Sequence, residues 1–241
     1  MTSVRDSGYR GPDGTAIRSM FASIAPRYDF LNRFLSLSID RYWRRRVVGL
    51  LRRYDPAAGD RCLDLCTGTG DLALDIHRGL GIRTVGSDFC HPMLLRFVGK
   101  IGSASIDVAE SDAQQLPFAD ARFRFVTVAF GLRNIERMHV ALREIHRVLE
   151  PGGVLVVLEF SQPVTPVVRG LFHVYFHRVL PKLGSWISGT AGPYAYLPAS
   201  VSRFPSQKAL VRELESAGLV EVDYENLTFG IAAMHWGVKP V

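Results

Sequence analysis

Between Asp60 and Phe160 the sequence alternates short apolar runs with stretches of helical periodicity, and this alternation limits the fold more than any other feature. The apolar runs are DRCLDL, RTVGSD, SIDVAE, FRFVTVAF and GGVLVVLEF. Helical patterns begin at Asp71 and at Pro92, and a third ends near Leu149. Strands that alternate with crossover helices form a parallel, doubly wound sheet, so the sequence predicts an α/β fold.

Composition and charge narrow the class of protein. The chain has 241 residues, of which 47% are hydrophobic, and this suits one large α/β domain with additions. No apolar run approaches the roughly 20 residues of a transmembrane helix. The N-terminal stretch MTSVRDSGYRGPDGT lacks the hydrophobic region of a signal peptide, and we therefore expect a cytoplasmic protein. The net charge of +6 favours an acidic partner such as RNA or an anionic membrane surface, or reflects no partner at all.

A glycine-rich loop follows the first apolar run, in LDLCTGTGD. Gly68 and Gly70 let the backbone turn tightly and approach a ligand, and the helix that begins at Asp71 directs unpaired N–H groups to the same place. About twenty residues further on, Asp88 ends the second strand, where a carboxylate can bind the hydroxyl groups of a ribose. The sequence therefore predicts a nucleotide-like ligand at this edge of the sheet.

Two cofactors fit the glycine loop, because GTGDLA also satisfies the dinucleotide pattern of NAD-dependent enzymes. Three other features favour S-adenosylmethionine. Asp64 lies inside the strand before the loop, Asp112 follows the third strand where it can meet an adenine amino group, and a PGG turn at 151–153 opens the fifth strand. A role for Asp112 or Asp88 only in capping a turn or helix is the alternative.

With these residues in place, the chain resembles the C-methyltransferase family of ubiquinone and menaquinone biosynthesis, of the UbiE/MenG type, along nearly its full length. The motifs that carry the resemblance are FASIAPRYDFLNRFLSLSIDRYWRR, DLCTGTGD, SDFCHPML, DAQQLPF, FGLRNI, HRVLEPGG, LEFSQP, YAYLPASVSRFP and LTFGIAAMHWGVKP. FGLRN and GIAAMHWGVKP are more specific than the glycine loop, since methyltransferases in general do not share them.

The resemblance implies a class I S-adenosylmethionine-dependent methyltransferase with a seven-stranded, mostly parallel, Rossmann-like sheet. It also implies methyl transfer to a ring carbon of a prenylated hydroquinone. The chain is most similar to demethylmenaquinone methyltransferases, so demethylmenaquinol is the expected substrate and the benzoquinol precursor of ubiquinone is the alternative.

The family's cofactor positions fall on residues of the motifs already described. The resemblance implies that the glycine loop surrounds the methionine end of the cofactor, with the carboxylate of Asp88 on the ribose and Asp112 with the Ala113 N–H on the adenine. The expected cofactor-binding residues are Gly68, Thr69, Gly70, Asp71, Asp88, Phe89, Asp112 and Ala113. Ala129 stands where ubiquinone-type members have a serine assigned to the cofactor, and this favours the naphthoquinol.

Two polar residues, Arg133 and Asn134, stand in AFGLRNIE where the fourth strand ends, and buried polar groups are costly there unless something binds them. Carbon methylation requires stabilisation of the quinol oxyanion, so we predict that both side chains donate hydrogen bonds to a quinol oxygen. The alternatives are an ion pair of Arg133 with Asp71 or Glu159, and an Asn134 that caps the next helix.

The other candidate residues have structural alternatives of equal weight or more. Tyr28 is a further catalytic candidate that could reach the quinol from an N-terminal lid, or it is a core aromatic. Asp71 binds the methionine amine or favours the helix dipole. His235 is a proton acceptor or a core histidine. His173 and His177 have helical spacing, but no third ligand accompanies them and methyl transfer needs no metal, so none is expected.

The expected domain organisation follows from these assignments. We predict a helical N-terminal cap at 1–55, a cofactor-binding Rossmann-like core at 56–160, an aromatic-rich helical insertion at 161–205 that forms a lid for the substrate or membrane, and a C-terminal helix and strands at 206–241. The insertion and the basic amphipathic helix IDRYWRRRVVGLLRRYDP together suggest peripheral contact with the inner membrane face. The oligomeric state stays open.

Two rival functions use the same fold, besides the NAD-dependent oxidoreductase. An RNA methyltransferase would explain the positive charge, but no RNA-binding module is appended to the core. A non-catalytic cofactor-binding protein is disfavoured because FGLRN is intact.

Overall fold

A computed structural model describes residues 9–30, 36, 38–166, 168–170 and 192–241. His173, His177 and the part of the expected insertion at 171–191 lie outside the described residues. Within those ranges, no helix has both the length and the apolar character needed to cross a bilayer.

The described residues form one seven-stranded sheet. The strands are β1 (Arg61–Leu65), β2 (Arg83–Asp88), β3 (Ile106–Glu110), β4 (Phe123–Ala129), β5 (Leu149–Phe160), β6 (Val220–Leu227) and β7 (Ala232–Val238). Their order in the sheet is β3-β2-β1-β4-β5-β7-β6. The first five pair in parallel, whereas β7 runs antiparallel to both β5 and β6. The predicted doubly wound, mostly parallel sheet is confirmed.

The helices pack on both faces of this sheet. They are α1 (Gly14–Ile24), α2 (Ile39–Arg52), α3 (Asp71–Leu80), α4 (His91–Ile101), α5 (Met138–Val148), α6 (Gly192–Arg203) and α7 (Gln207–Ser216), and a 3-10 turn at Ala25–Arg27 extends α1. Ser206 occupies the N-cap position of α7, and Gly218 follows the helix with a φ of 96°.

Two apolar layers hold these elements together. On one face, α5 and α7 place Met138 and Leu214 against Leu63 and Val126 of the sheet. On the other face, α2 and α3 form a second layer with the strands. The apolar side of the amphipathic helix α2 is buried in that second layer, and its residues there include Trp43, Val47, Leu50 and Leu51. Both layers leave the carboxyl ends of β1, β2 and β4 open to a cleft.

Candidate active site

The glycine loop between β1 and α3 takes the backbone conformation that its sequence predicts. Gly68 and Gly70 have φ values of 57° and 79°, in the left-handed region that side chains disfavour. A Cβ atom at Gly70 would also overlap the ring of Phe97, which is fully buried under the loop. The second glycine is therefore required for packing as well as for the turn.

Asp64 anchors the start of this loop from inside β1. Its carboxylate accepts hydrogen bonds of 2.6 Å from the hydroxyl groups of Thr67 in the loop and Thr127 in β4. Burial raises the pKa of Asp64 to about 6, while the two hydroxyl groups oppose that rise. The carboxylate thus ties β1 to β4 at the base of the loop.

Asp88 lies at the end of β2 and faces the cleft. Its two carboxylate oxygens accept backbone N–H groups from Gly68 at 2.9 Å and Cys90 at 2.8 Å, and burial raises its pKa. Each oxygen has a further lone pair, so the carboxylate can also accept hydroxyl groups of a ribose. The same contacts fix the position of the acid relative to the glycine loop.

Asp112 and Ala113 form the next part of the wall. The Asp112 carboxylate accepts the backbone N–H of Gln114 at 2.8 Å, which is the turn-capping contact considered as the alternative for this residue. Both Asp112 and Ala113 nevertheless line the cleft together with Asp88. The Gln114 N–H therefore fixes the orientation of a carboxylate that lines the cleft.

One continuous cleft joins these residues to the end of β4. It encloses about 780 Å³ of space between protein atoms, including its open mouth. Of the expected site residues, those that line it are Tyr28, Gly68, Asp88, Phe89, Asp112, Ala113 and Asn134, and Ala129 and Phe130 line it as well. The structure thus brings most of the residues predicted from separate motifs to one place.

Thr69, Gly70 and Asp71 are not among the residues that line the cleft. The Thr69 hydroxyl donates to Asp29 at 2.5 Å. Asp71, in the first turn of α3, lies 2.8 Å from the ammonium of Lys100 and 3.8 Å from the guanidinium of Arg44. These three residues support the shape of the loop.

The N-terminal segment covers the cleft. Tyr28 faces the cleft and packs edge-to-face on Phe21, with 6.1 Å between ring centroids. Asp29 holds this segment down, because its second carboxylate oxygen lies 2.6 Å from the Lys100 ammonium of α4. Sequence reasoning missed Asp29 and Lys100, although both stand within or near the motifs that carry the resemblance.

The guanidinium of Arg133 turns into the protein. It lies 2.6 Å from Glu159, also donates to the Phe130 carbonyl, and stacks 5.5 Å from the ring centroid of Phe160. Arg133 and Glu159 are both buried, and neither lines the cleft. The alternative of an ion pair with Glu159 is therefore the arrangement found, and it does not place the guanidinium against a quinol.

Asn134 does line the cleft, and it does not cap the following helix. Arg137 occupies the N-cap position of α5, and no side chain makes a cap bond there. The Asn134 amide donates to the Phe130 carbonyl at 3.3 Å and accepts the hydroxyl of Tyr196 at 2.7 Å. Sequence reasoning missed Tyr196, and its place in YAYLPASVSRFP is the one signal that could have found it.

His235 is a core residue of β7. Its ring stacks on Tyr224, and because the Gln207 carbonyl can only accept, the Nε2–H donates to it at 3.1 Å. Burial lowers the pKa of His235 to about 4. Within the described residues, His235 is not part of the cleft lining, and no group of three metal-ligating side chains is found.

Solved structures share this architecture at low sequence identity. The SpnF cyclase aligns with a TM-score of 0.72 and 18% identity, and the alignment covers 98% of this chain and 100% of that one. An S-adenosylmethionine-dependent methyltransferase of Thermotoga maritima aligns with a TM-score of 0.63 and 16% identity over 91% of this chain and 99% of that one. At such identity, these likenesses show the fold alone.

Sequence comparison identifies the family of the chain. The model of the ubiE/COQ5 methyltransferase family matches residues 10–239. Demethylmenaquinone methyltransferase of Thermus thermophilus is 50% identical over 92% of this chain and 100% of its own length. The C-methyltransferase UbiE of Geobacter sulfurreducens is 42% identical over 94% of this chain and 89% of its own length. These matches confirm the predicted resemblance and leave the NAD-dependent alternative without support, and the chain is therefore an S-adenosylmethionine-dependent methyltransferase of the ubiE/COQ5 family.

Proposed function

We propose that this enzyme methylates a ring carbon of a prenylated hydroquinone and that demethylmenaquinol is its preferred substrate. The observation that carries the proposal is one cleft whose lining includes the carboxylates of Asp88 and Asp112 together with Tyr28, Phe130 and Asn134. Relatives at 50% and 44% identity are named demethylmenaquinone methyltransferases. Ala129, which lines the cleft in place of a serine, also favours the naphthoquinol over the benzoquinol.

The residues of the cleft suit the needs of carbon methylation. S-adenosylmethionine supplies an electrophilic methyl group on a sulfonium, and the protein must hold the nucleophilic carbon about 3–3.5 Å from it. Asp88 would bind the ribose, and Asp112 with the Ala113 N–H would bind the adenine. Phe130 would pack on the quinol ring beyond the end of β4, and Tyr28, which lies next to Gly68, would pack where the cofactor and the quinol meet.

Asn134 is the donor that the structure offers to the quinol oxygen. The ring carbon becomes a good nucleophile as negative charge develops on the neighbouring oxygen, and a fixed N–H group stabilises that charge. Arg133 would act through the same turn, since its guanidinium is bonded to Glu159 and Phe130. A direct contact of Arg133 with the quinol would require the guanidinium to leave Glu159.

A methyl-transfer assay with three acceptors in parallel tests the proposal. The acceptors are demethylmenaquinol, a demethylated benzoquinol and total RNA, each with labelled S-adenosylmethionine. We expect label mainly in the naphthoquinol and little in the benzoquinol. Label in RNA alone would contradict the proposal, whereas label mainly in the benzoquinol would identify the alternative substrate.

We propose further that the protein works at an anionic membrane surface in the cytoplasm, where a prenylated quinol resides. The basic helix α2 carries two kinds of arginine. Arg44 and Arg46 are paired with Asp75 and Glu225 at 2.7 Å, whereas Arg41 and Arg45 are exposed. The exposed pair is free to meet lipid phosphates.

Sedimentation with liposomes tests whether the protein binds an anionic membrane surface. At low salt, we expect the wild type to sediment with anionic vesicles and not with neutral ones. Arg41→Glu with Arg45→Glu should abolish sedimentation. Lys208→Glu with Arg212→Glu makes the same change of charge on the exposed face of α7 and should preserve it. Indifference of the wild type to anionic lipid would refute the membrane proposal.

A further inference from the structure

Tyr196 of α6 reaches the turn that lines the cleft. Its hydroxyl lies 2.7 Å from the Asn134 amide oxygen, although the two residues are 62 positions apart in the sequence. Asn134 lines the cleft, and Tyr196 is not among the lining residues. Tyr196 can therefore affect bound substrate only through the side chain that it holds.

The Asn134 amide has one orientation that satisfies its neighbours. A backbone carbonyl only accepts hydrogen bonds, so the amide nitrogen must face the Phe130 carbonyl, which lies 3.3 Å away. The amide oxygen then faces Tyr196, whose hydroxyl must be the donor. The nitrogen carries a second N–H group that neither of these contacts uses.

Hydrogen bonds fix the backbone of the turn, whereas the Asn134 side-chain amide can still rotate. The Asn134 backbone N–H donates to the Gly131 carbonyl at 2.9 Å, and the Tyr9 hydroxyl donates to the Arg133 carbonyl at 2.5 Å. These bonds fix the backbone of the turn but not the side-chain torsion of Asn134. Burial raises the pKa of Tyr196, so its hydroxyl keeps its proton at neutral pH.

We infer that Tyr196 is a positioning residue that holds the Asn134 amide with its unused N–H group directed at the quinol oxygen, an inference that rests on the proposed function. Without the tyrosine hydroxyl, only the longer 3.3 Å bond to the Phe130 carbonyl holds the amide, which can then rotate more easily and present its oxygen to the cleft. An amide oxygen would repel the oxyanion that develops during methyl transfer, whereas the N–H group stabilises it. Tyr196 thus affects the rate of methyl transfer and not the binding of the nucleotide.

A mutant cycle tests this role. The proteins are the wild type, Tyr196→Phe, Asn134→Ala and the double variant, and the assay measures kcat and KM with demethylmenaquinol and S-adenosylmethionine. We expect Tyr196→Phe to lower kcat about tenfold, the effect of losing one hydrogen bond, with the KM for S-adenosylmethionine unchanged. Tyr42→Phe, which removes an exposed hydroxyl of α2 outside the cleft, is the matched control and should keep the wild-type kcat.

The double variant gives the decisive comparison. If Tyr196 acts through Asn134, then Tyr196→Phe lowers kcat no further in the Asn134→Ala background. An equal loss in both backgrounds, or a normal kcat in Tyr196→Phe, would overturn the inference. If the wild type methylates no prenylated hydroquinone, the proposed function fails, and this outcome is distinct from either of those.

A second variant keeps the inference testable if Tyr196→Phe does not fold. Asn134→Asp retains an oxygen that accepts from Tyr196 but has no N–H group to donate. We expect its kcat to fall as far as that of Asn134→Ala, with calorimetric binding of S-adenosylmethionine preserved. A wild-type kcat in Asn134→Asp would show that the N–H group is not needed and would refute the inference.

Discussion

Arg133 and Glu159 form a buried ion pair next to the turn that lines the cleft, although neither side chain lines the cleft itself. Burial raises the pKa of Glu159, and the neighbouring guanidinium opposes that rise. The Nε of Arg133 makes no hydrogen bond within the described residues, so the pair is not fully satisfied. Such a pair fixes geometry at the expense of stability.

Removing one member of this pair should affect both stability and turnover. We expect Arg133→Ala to lower the free energy of unfolding by about 3–5 kcal/mol, because it leaves a buried carboxylate without its partner. We also expect turnover to fall by about 100-fold, because the guanidinium no longer holds the turn that positions the Asn134 donor, with nearly unchanged affinity for S-adenosylmethionine. Urea unfolding, calorimetry and the methyl-transfer assay measure the three quantities.

A paired replacement separates the two effects. Arg133→Met together with Glu159→Leu removes both charges and keeps the volume, so stability should return towards that of the wild type. If turnover stays low in this stable variant, the guanidinium itself contributes to the reaction. If turnover recovers, the arginine has a structural role alone.

The two glycines that flank α3 allow a test of the packing under the loop. Gly70 and Gly81 both have a left-handed backbone, with φ values of 79° and 69°. A Cβ at Gly70 would overlap Phe97, whereas a Cβ at Gly81 meets nothing within 4 Å. We expect Gly81→Ala to cost about 1 kcal/mol of stability through backbone strain alone.

Gly70→Ala should cost at least about 1–3 kcal/mol more than Gly81→Ala, because the core must also yield to the added methyl group. It should also weaken binding of S-adenosylmethionine. Thermal unfolding and calorimetry check both effects. Equal stability of the two variants would show that Phe97 moves aside without cost.

At the scale of elements, the N-terminal segment is held over the cleft by contacts with α4 and the glycine loop. Asp29 accepts from Thr69 and pairs with Lys100, and Lys100 also pairs with Asp71. The three charged side chains are between 25% and 29% exposed, so solvent screens them only in part. The ammonium is shared by two carboxylates that would otherwise repel each other.

Neutralising this ammonium should loosen the segment. We expect Lys100→Met to weaken binding of S-adenosylmethionine about five- to tenfold and to speed tryptic cleavage at Arg18 and Arg27. Lys208→Met removes an exposed lysine of α7 and is the control, with no change expected in either measurement. Unchanged cleavage and affinity in Lys100→Met would show that the apolar contacts of the segment suffice to hold it.

The contacts between elements that are distant in the sequence could not be predicted from the sequence alone. Local periodicity predicted the first five strands and the helix boundaries near Asp71, Pro92 and Leu149, because side-chain spacing directly reflects burial. It placed the start of the fifth strand at Gly152, whereas β5 begins at Leu149, which pairs with Phe123 of β4. The contact of Asn134 with Tyr196 depends on how α6 packs, and periodicity carries no information on that. For the same reason, the choice of Glu159 as the partner of Arg133 stayed open.

At the scale of the whole molecule, the antiparallel strand β7 bears a buried histidine that makes stability depend on pH. The Nδ1 atom of His235 is buried and has no hydrogen-bond partner within the described residues. Protonation would place an N–H group and a charge there without an acceptor. The pKa of about 4 in the folded protein, compared with 6.5 in the unfolded chain, expresses this cost.

The sign of the pH effect follows from that difference. Between pH 6.5 and pH 4, His235 binds a proton in the unfolded chain but not in the folded protein. Protonation therefore favours the unfolded chain, so the free energy of unfolding is not reduced by His235 above pH 6.5 and decreases as the pH falls below it. The loss is about 1.4 kcal/mol for each pH unit within the window. We expect His235→Gln, which cannot titrate, to lose less stability than the wild type between pH 7 and pH 5 in urea unfolding. Parallel losses in the two proteins would contradict the assignment.

The position of β7 between β5 and β6 also has a consequence for the folding of the protein during its synthesis on the ribosome. A ribosome makes β7 last of the seven strands, yet this strand occupies an interior place in the sheet. Until it emerges from the exit tunnel, β5 and β6 expose unpaired backbone edges that attract other strands. In the nascent polypeptide, these edges therefore stay open to chaperones or to aggregation until β7 has been translated.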